Sequence, residues 1–202
     1  MKTLLFAGAI ALATITANAG GFTGGSKGAA TYKLDPAASK ITWTAKKVTG
    51  SHTGDVKFAT GSLAADDKGL KSGNFTVDMK TITCTDISDA ETNGKLLGHL
   101  NSPDFFDTEK SPASTFVITK VQKVKGNTYN VVGDLTIKGI KSSVSFPADV
   151  KMSGKNATAT GKLTIDRTKY DIKYGSGKFF EGLGDKMIND DFVLDLILVA
   201  NK

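Results

Sequence analysis

The chain has 202 residues, with 26 Lys and Arg against 20 Asp and Glu, a formal net charge of +6, one cysteine, and 8% aromatic residues. One cysteine excludes an internal disulfide framework, so stability must come from packing and sheet pairing. The lysines are scattered, with no dense block. That excludes the clustered footprint of a nucleic-acid binder and leaves dispersed charge for solubility and some attraction to anionic head groups.

Residues 1–19 read as a cleavable export signal. Lys2 supplies the positive start, Leu4 to Ile15 the apolar core, and Ala17-Asn18-Ala19 the small-x-small site, so cleavage is expected after Ala19. The run stops short of the roughly 20 residues of a bilayer span. Gly20 offers no thiol for a lipoprotein anchor, so an exported, unanchored chain is expected. Residues 20–31 form a Gly-rich flexible leader, and residues 32–202 one domain.

From Tyr32 onward the pattern is period-two alternation broken by Gly, Asn, Asp and Lys turns, the signature of antiparallel sheet. Ile41, Trp43 and Ala45 alternate with polar neighbours, as do Phe75, Val77 and Met79, and then Tyr129, Val131, Gly133, Leu135 and Ile137. Val144 to Val150 and Ala157 to Ile165 continue the rhythm. Phe192 to Ala200, apolar at nearly every position, reads as a strand covered on both faces. Two stretches depart from it. Asp86 to His99 reads as a helix and loop ending at Ser102-Pro103. Tyr170 to Asp190, rich in Gly and aromatics, reads as a long, partly ordered rim loop. The count is roughly eight strands, an all-β fold of barrel or sandwich type.

Four separate blocks resemble one family: GSHTGDVKF at 50–58, GHLNSPDFFDTEKSPASTFVITKV at 98–121, GDLTIKGIKSSVSFPADV at 133–150, and LTIDRTKYDIKYGSG at 163–177. They resemble the YceI-like, polyisoprenoid-binding proteins of the bacterial periplasm. The resemblance implies an eight-stranded antiparallel, lipocalin-like barrel with a short helix near one mouth and an apolar lumen that holds an isoprenoid or similar amphiphile. Tyr170-Asp171-Ile172 stands where many members carry Phe-Gly-Ile, and the loop after it is longer than in the short members. Both departures bear on which ligand is held.

For the lumen, the inward candidates are Trp43, Phe58, Phe75, Phe116, Ile118, Leu135, Phe146, Leu163 and Ile165. Leu97 and Leu100 of the helix, Phe105 and Phe106 after it, and Phe179 of the late loop join them at the entrance. The same residues would equally pack a solid core. His52, His99 and Arg167 are the donors available to a head group, with Arg167 also fit to pair structurally with Asp166. Two histidines 47 positions apart and one cysteine make no zinc spacing. Asp86, Asp89 and Glu91 lack calcium-loop spacing. No Gly-x-Ser-x-Gly elbow is present, so no catalytic residue, metal or cofactor is expected.

The function expected is a periplasmic carrier of an isoprenoid of quinone or prenyl phosphate class, acting without chemistry on it as monomer or homodimer, with transient contact to a membrane surface. The competing readings are a binder of fatty acids or amides, a stress-related lipid-metabolising enzyme, and an outer-membrane barrel. The last would need an outward apolar band and aromatic girdles.

Overall fold

The computed structural model describes residues 28–202. The signal segment and leader residues 20–27 lie outside the described residues. The first described strand starts at Ala30, two residues ahead of Tyr32, where the alternation begins in the sequence.

The strands are β1 (Ala30–Leu34), β2 (Lys40–Lys47), β3 (Gly50–Asp66), β4 (Gly69–Asp78), β5 (Ala113–Lys125), β6 (Thr128–Ile137), β7 (Ile140–Ser153), β8 (Asn156–Asp166) and β9 (Ile188–Asn201), with one helix, α1 (Ala90–Asn101), between β4 and β5. All pairings are antiparallel, and β3–β4 contact closes the sheet into a barrel. Nine strands fill eight positions. β2 lies between β3 and β9 at one end, and β1 lies between the same two strands at the other. Asp35-Pro36 breaks the strand between them, and the Asp35 carboxylate accepts from the Ala37 and Ala38 amides. The eight-stranded lipocalin-like barrel expected from the sequence is therefore the architecture found.

Period-two alternation sets the inside from the outside. Tyr129, Val131, Gly133, Leu135 and Ile137 of β6 are all buried, with half-buried neighbours between them. The outer positions carry Lys57, Lys141, Ser145, Lys151, Lys162 and Asp195, all exposed. Apolar inside and charged outside is the inverse of a membrane-spanning barrel. β9 is less covered than expected. Ile197 is 49% exposed, because it stands on the outer face between Lys40 and Thr160 with no element over it.

The two ends differ in kind. Tight turns join β3–β4, β5–β6 and β7–β8 at one end, where Tyr32 and Tyr129 are buried. The long connections, β4–α1–β5 and β8–β9, both lie at the other end, the mouth. α1 starts where the Asp89 carboxylate accepts from the Thr92 amide and hydroxyl, and ends at Ser102 before Pro103. It contains no fully buried residue. Its half-buried Leu96, Leu97 and Leu100 rest on the core.

The β8–β9 connection is a long rim loop, as expected, with an anchored first part: Tyr170, Ile172 and Ser176 are completely buried, while Tyr174, Phe179 and Phe180 are exposed. The reason lies in the sheet. β7 pairs with β8 only through Ala148–Ser153, and Pro147, which has no N–H to donate, stands where the ladder stops. Toward the mouth the two strands splay. A 3-10 turn at Arg167–Tyr170, closed by Asp171 in the left-handed region, packs against β7 and β9 there and buries Tyr170.

Candidate functional site

The lumen is not a solid core. It holds two apolar chambers, one of about 120 Å³ toward the mouth and one of about 90 Å³ toward the tight-turn end. Ile41, Val77, Leu135 and Leu194 border both, so these four side chains from β2, β4, β6 and β9 form a waist between them. An apolar cavity of about 150 Å³ takes one benzene. The mouth chamber comes near that size as it stands, and the inner one falls short of it.

Trp43, Leu100, Phe105, Phe106 and Ile165 line the mouth chamber, and Leu135 lies at the waist. Phe58, Phe75, Phe116, Ile118, Phe146 and Leu163 line the inner one. Two expected lining residues border neither chamber. Leu97 lies along the half-buried flank of α1, and Phe179 is 48% exposed under the Lys173 ammonium. The helix turns Leu100, not Leu97, to the lumen, and the buried half of the late loop holds Phe179 outside.

The polar residues in the lining are Ser114, Arg167 and Asn189 in the mouth chamber and Thr160 in the inner one, and the surface that faces each chamber is almost wholly apolar. The Arg167 side chain is 5% exposed. Its Nε donates to the Asn189 carbonyl at 3.0 Å, Nη1 to Ile172 at 2.9 Å and Nη2 to Ile188 at 3.1 Å. The ionic partner is Asp190, 3.7 Å away, and not the expected Asp166. Asp166 instead accepts from Thr168 and Lys178 as the cap of the 3-10 turn. Burial pushes the guanidinium below its usual value, and Asp190 and then Asp166 offset part of this. Arg167 therefore clamps the late loop to β9 while one face of it meets the chamber and the Phe105 ring. The Ser114 hydroxyl is different: buried in the chamber wall, it has no hydrogen-bond partner among the described residues.

The two histidines stand apart from the lumen lining. His99 lies edge-on between Phe105 and Tyr174, with ring centroids at 4.7 and 4.4 Å, on the outer side of the mouth. His52 Nδ1 is 2.9 Å from the Asp86 carboxylate. That carboxylate also accepts from the Thr53 amide and the Cys84 thiol. Burial alone would raise the Asp86 pKa, but these bonds outweigh it and hold the group at about 2. Burial and Asp86 together push the Cys84 thiol up.

Sequence reasoning missed the waist as a unit, the Asp190 partner, and Ser114. The one signal for Ser114 was a hydroxyl in the inward series Ser114, Phe116, Ile118. It also missed that folding brings His52, Cys84 and Asp86 together.

Residues 32–200 match the family described as the YceI-like domain. Protein YceI of Escherichia coli is 30% identical over 165 residues, 77% of this chain and 83% of that one. A UPF0312 protein of Photorhabdus laumondii is 30% identical over 149 residues, 74% of each. Among solved structures, BcnA of Burkholderia cenocepacia matches with a TM-score of 0.68 at 27% identity, over 83% of this chain and 99% of that one. A polyisoprenoid binding domain from Saccharophagus degradans, implicated in plant cell wall breakdown, matches with a TM-score of 0.60 over 84% and 97%; at 16% identity this is a likeness of fold. With its family model matched from the first strand to the last, this chain belongs to the YceI-like family.

Proposed function

We propose that this protein is a periplasmic carrier of an amphiphile with a long apolar tail, of isoprenoid type, which it holds without altering. The observation that carries the reading is the lumen: two chambers in line, both almost wholly apolar in surface, with Ser114, Arg167 and Asn189 in the wall of the mouth chamber. A tail threaded through the waist would fill the inner chamber, and its polar end would stay near Ser114, Arg167 and Asn189. The fold likeness to a polyisoprenoid binding domain and the export signal of residues 1–19 support the ligand class and the compartment.

The energetics allow it. Each buried methylene contributes about 0.8 kcal/mol, offset in part by ordering a flexible tail. Two adjustments are required of the protein. The waist side chains must turn to let a chain pass, and α1 must lift to admit it. α1 is suited to lifting: 12 residues, Gly94 and Gly98 within it, and no fully buried side chain. A helix of that length with two glycines is marginal alone, so its opening costs much less than global unfolding. The exposed Tyr174, Phe179 and Phe180 beside the mouth would meet the bilayer surface during transfer.

Native mass spectrometry of protein isolated from its own periplasm, followed by extraction, tests this. One bound species with a polyprenyl tail supports the proposal. Protein that arrives empty and then refuses both quinones and prenyl phosphates overturns it.

A further inference from the structure

The segment between β4 and α1 runs as a strap along the start of β3. The Thr83 amide donates to the Asp55 carbonyl and the Thr85 amide to the Thr53 carbonyl, each at 2.9 Å. The strap carries Cys84 and Asp86 to His52. The Cys84 thiol donates to Asp86 Oδ1 at 3.2 Å, His52 Nδ1 is 2.9 Å from Asp86 Oδ2, and the three ligating atoms all lie within 4.8 Å of one another.

We infer that His52, Cys84 and Asp86 form a three-residue site for a divalent metal ion, zinc by preference, with the fourth coordination position open to solvent. A nitrogen, a sulfur and a carboxylate oxygen suit a borderline-soft ion and do not suit magnesium or calcium. Zinc bonds of about 2.0–2.1 Å to nitrogen, 2.3 Å to sulfur and 2.0–2.2 Å to oxygen give tetrahedral edges of about 3.3 Å for N–O and 3.5 Å for S–O. The 2.9 Å from His52 Nδ1 to Asp86 Oδ2 need only widen by a few tenths of an ångström; the 3.2 Å from Cys84 runs to the other oxygen, Oδ1, and with all three ligating atoms within 4.8 Å of one another the sulfur closes on the ion by at most about 1.3 Å. The outer shell is already in place. Asp86 Oδ1 accepts from the Thr53 amide at 2.9 Å, the kind of bond that orients a ligating carboxylate.

Access is right as well. The His52 and Asp86 side chains are 34% and 30% exposed, enough for an ion and its water to enter, whereas Cys84 is buried and shields the sulfur. The site stands at the mouth of the lumen. Ala45, directly opposite His52 in the β2–β3 ladder, lines the mouth chamber, as does Ile82, two residues before Cys84. A bound ion would rivet the strap to β3. The inference is independent of the carrier reading, since it rests on these three side chains alone.

The test is a cobalt titration of the reduced, metal-stripped mature protein. One equivalent of Co²⁺ is expected to produce a thiolate-to-metal absorption in the near ultraviolet with tetrahedral d–d bands, and Zn²⁺ should displace it. Cys84→Ser should abolish the near-ultraviolet band and weaken binding by more than about tenfold, the least that even an outer-shell partner contributes. His52→Gln, at a partly exposed position, should weaken binding similarly. Should Cys84→Ser fail to fold, protection of Cys84 from alkylation by Zn²⁺ in the parent, and its loss in His52→Gln, answers the same question. Saturating Co²⁺ without a thiolate band, or a Cys84→Ser protein that titrates like the parent, overturns the site and leaves Asp86 a structural pin of the strap.

Discussion

Leu135 borders both chambers, so replacing it with Ala should join them, and the consequence for stability and for ligand length can be worked out. Leu135 is 7% exposed. Buried Leu→Ala changes cost about 2–5 kcal/mol, depending on how much cavity remains. Leu135 already faces space on two sides and has fewer packing atoms to lose, so the low end, about 2–3 kcal/mol, is expected. For a domain of this size that is a fall of about 5–10 °C in Tm. The same change should help a long ligand. Holding one or two waist side chains off their rotamers costs about 0.5–1.5 kcal/mol each, and without Leu135 part of that cost disappears. Long-chain prenyl ligands should therefore bind Leu135→Ala about tenfold more tightly than the parent, while a single-ring probe that fits one chamber should bind within about twofold. At one ligand concentration far above both Kd values, tenfold tighter binding returns about 1.4 kcal/mol of that loss, so the saturated long-chain complexes of parent and variant should melt closer together than the empty proteins do. Thermal unfolding by circular dichroism with each ligand reads both effects. A variant that loses less than about 1 kcal/mol, or that gains equally for long and short ligands, would show that Leu135 does not divide the lumen.

Four further outcomes are expected. Ser114→Ala removes a buried hydroxyl without a partner, so the empty protein should be unchanged or stabler by about 1 kcal/mol, while a ligand bearing a carbonyl or hydroxyl loses affinity and a plain hydrocarbon does not; calorimetry with the two ligand types separates these. Arg167→Met strands Asp190 and three carbonyls, and denaturant melts should report a loss of about 3–5 kcal/mol. Gly54→Ala places a methyl group on the Thr83 carbonyl oxygen and against the Trp43 ring; it should cost about 3 kcal/mol, and hydrogen exchange should show the Thr83 and Thr85 amides losing protection. The Asp86 carboxylate, held at about 2 against 3.8, contributes stability that is complete above pH of about 4 and fades as pH falls toward 2. After solvent screening at a partly exposed site this is about 1 kcal/mol, and Asp86→Asn, in the presence of a chelator, should remove that part of the acid limb.

Much of this was legible in the chain because alternation is a local signal. β6 reads directly as Tyr129, Val131, Gly133, Leu135, Ile137 inward, and α1 is announced by Asp89 at its start and Pro103 just past its end. What alternation cannot carry is which inward side chains meet across the barrel. Ile41, Val77, Leu135 and Leu194 each look like ordinary core, and only closure of the sheet makes them a waist. Arg167 next to Asp166 reads as a neighbouring pair, yet the turn at Arg167–Tyr170 sends the guanidinium inward to Asp190 and leaves Asp166 to cap the turn. His52 and Asp86 are 34 positions apart, and no spacing rule relates a strand's first turn to a strap after the next strand.

The rim loop bears most directly on function. A proline at 147 ends the β7–β8 ladder early, so the barrel wall is incomplete at the mouth, and the sequence answers with Tyr170 and Ile172 at complete burial. An ordinary hairpin there would have closed the wall with backbone hydrogen bonds. Side chains close it instead, and the same segment positions Arg167 at the edge of the mouth chamber. Wall, clamp and polar pole are thus one connection, and the departures of Tyr170-Asp171-Ile172 from the common family pattern fall inside it. Exchanging residues 170–177 for the shorter family form should therefore change which head groups are accepted while the inner chamber, built from β2 to β9, keeps its preference for apolar tails. A swap that altered tail preference and left head-group preference untouched would place the selecting groups elsewhere.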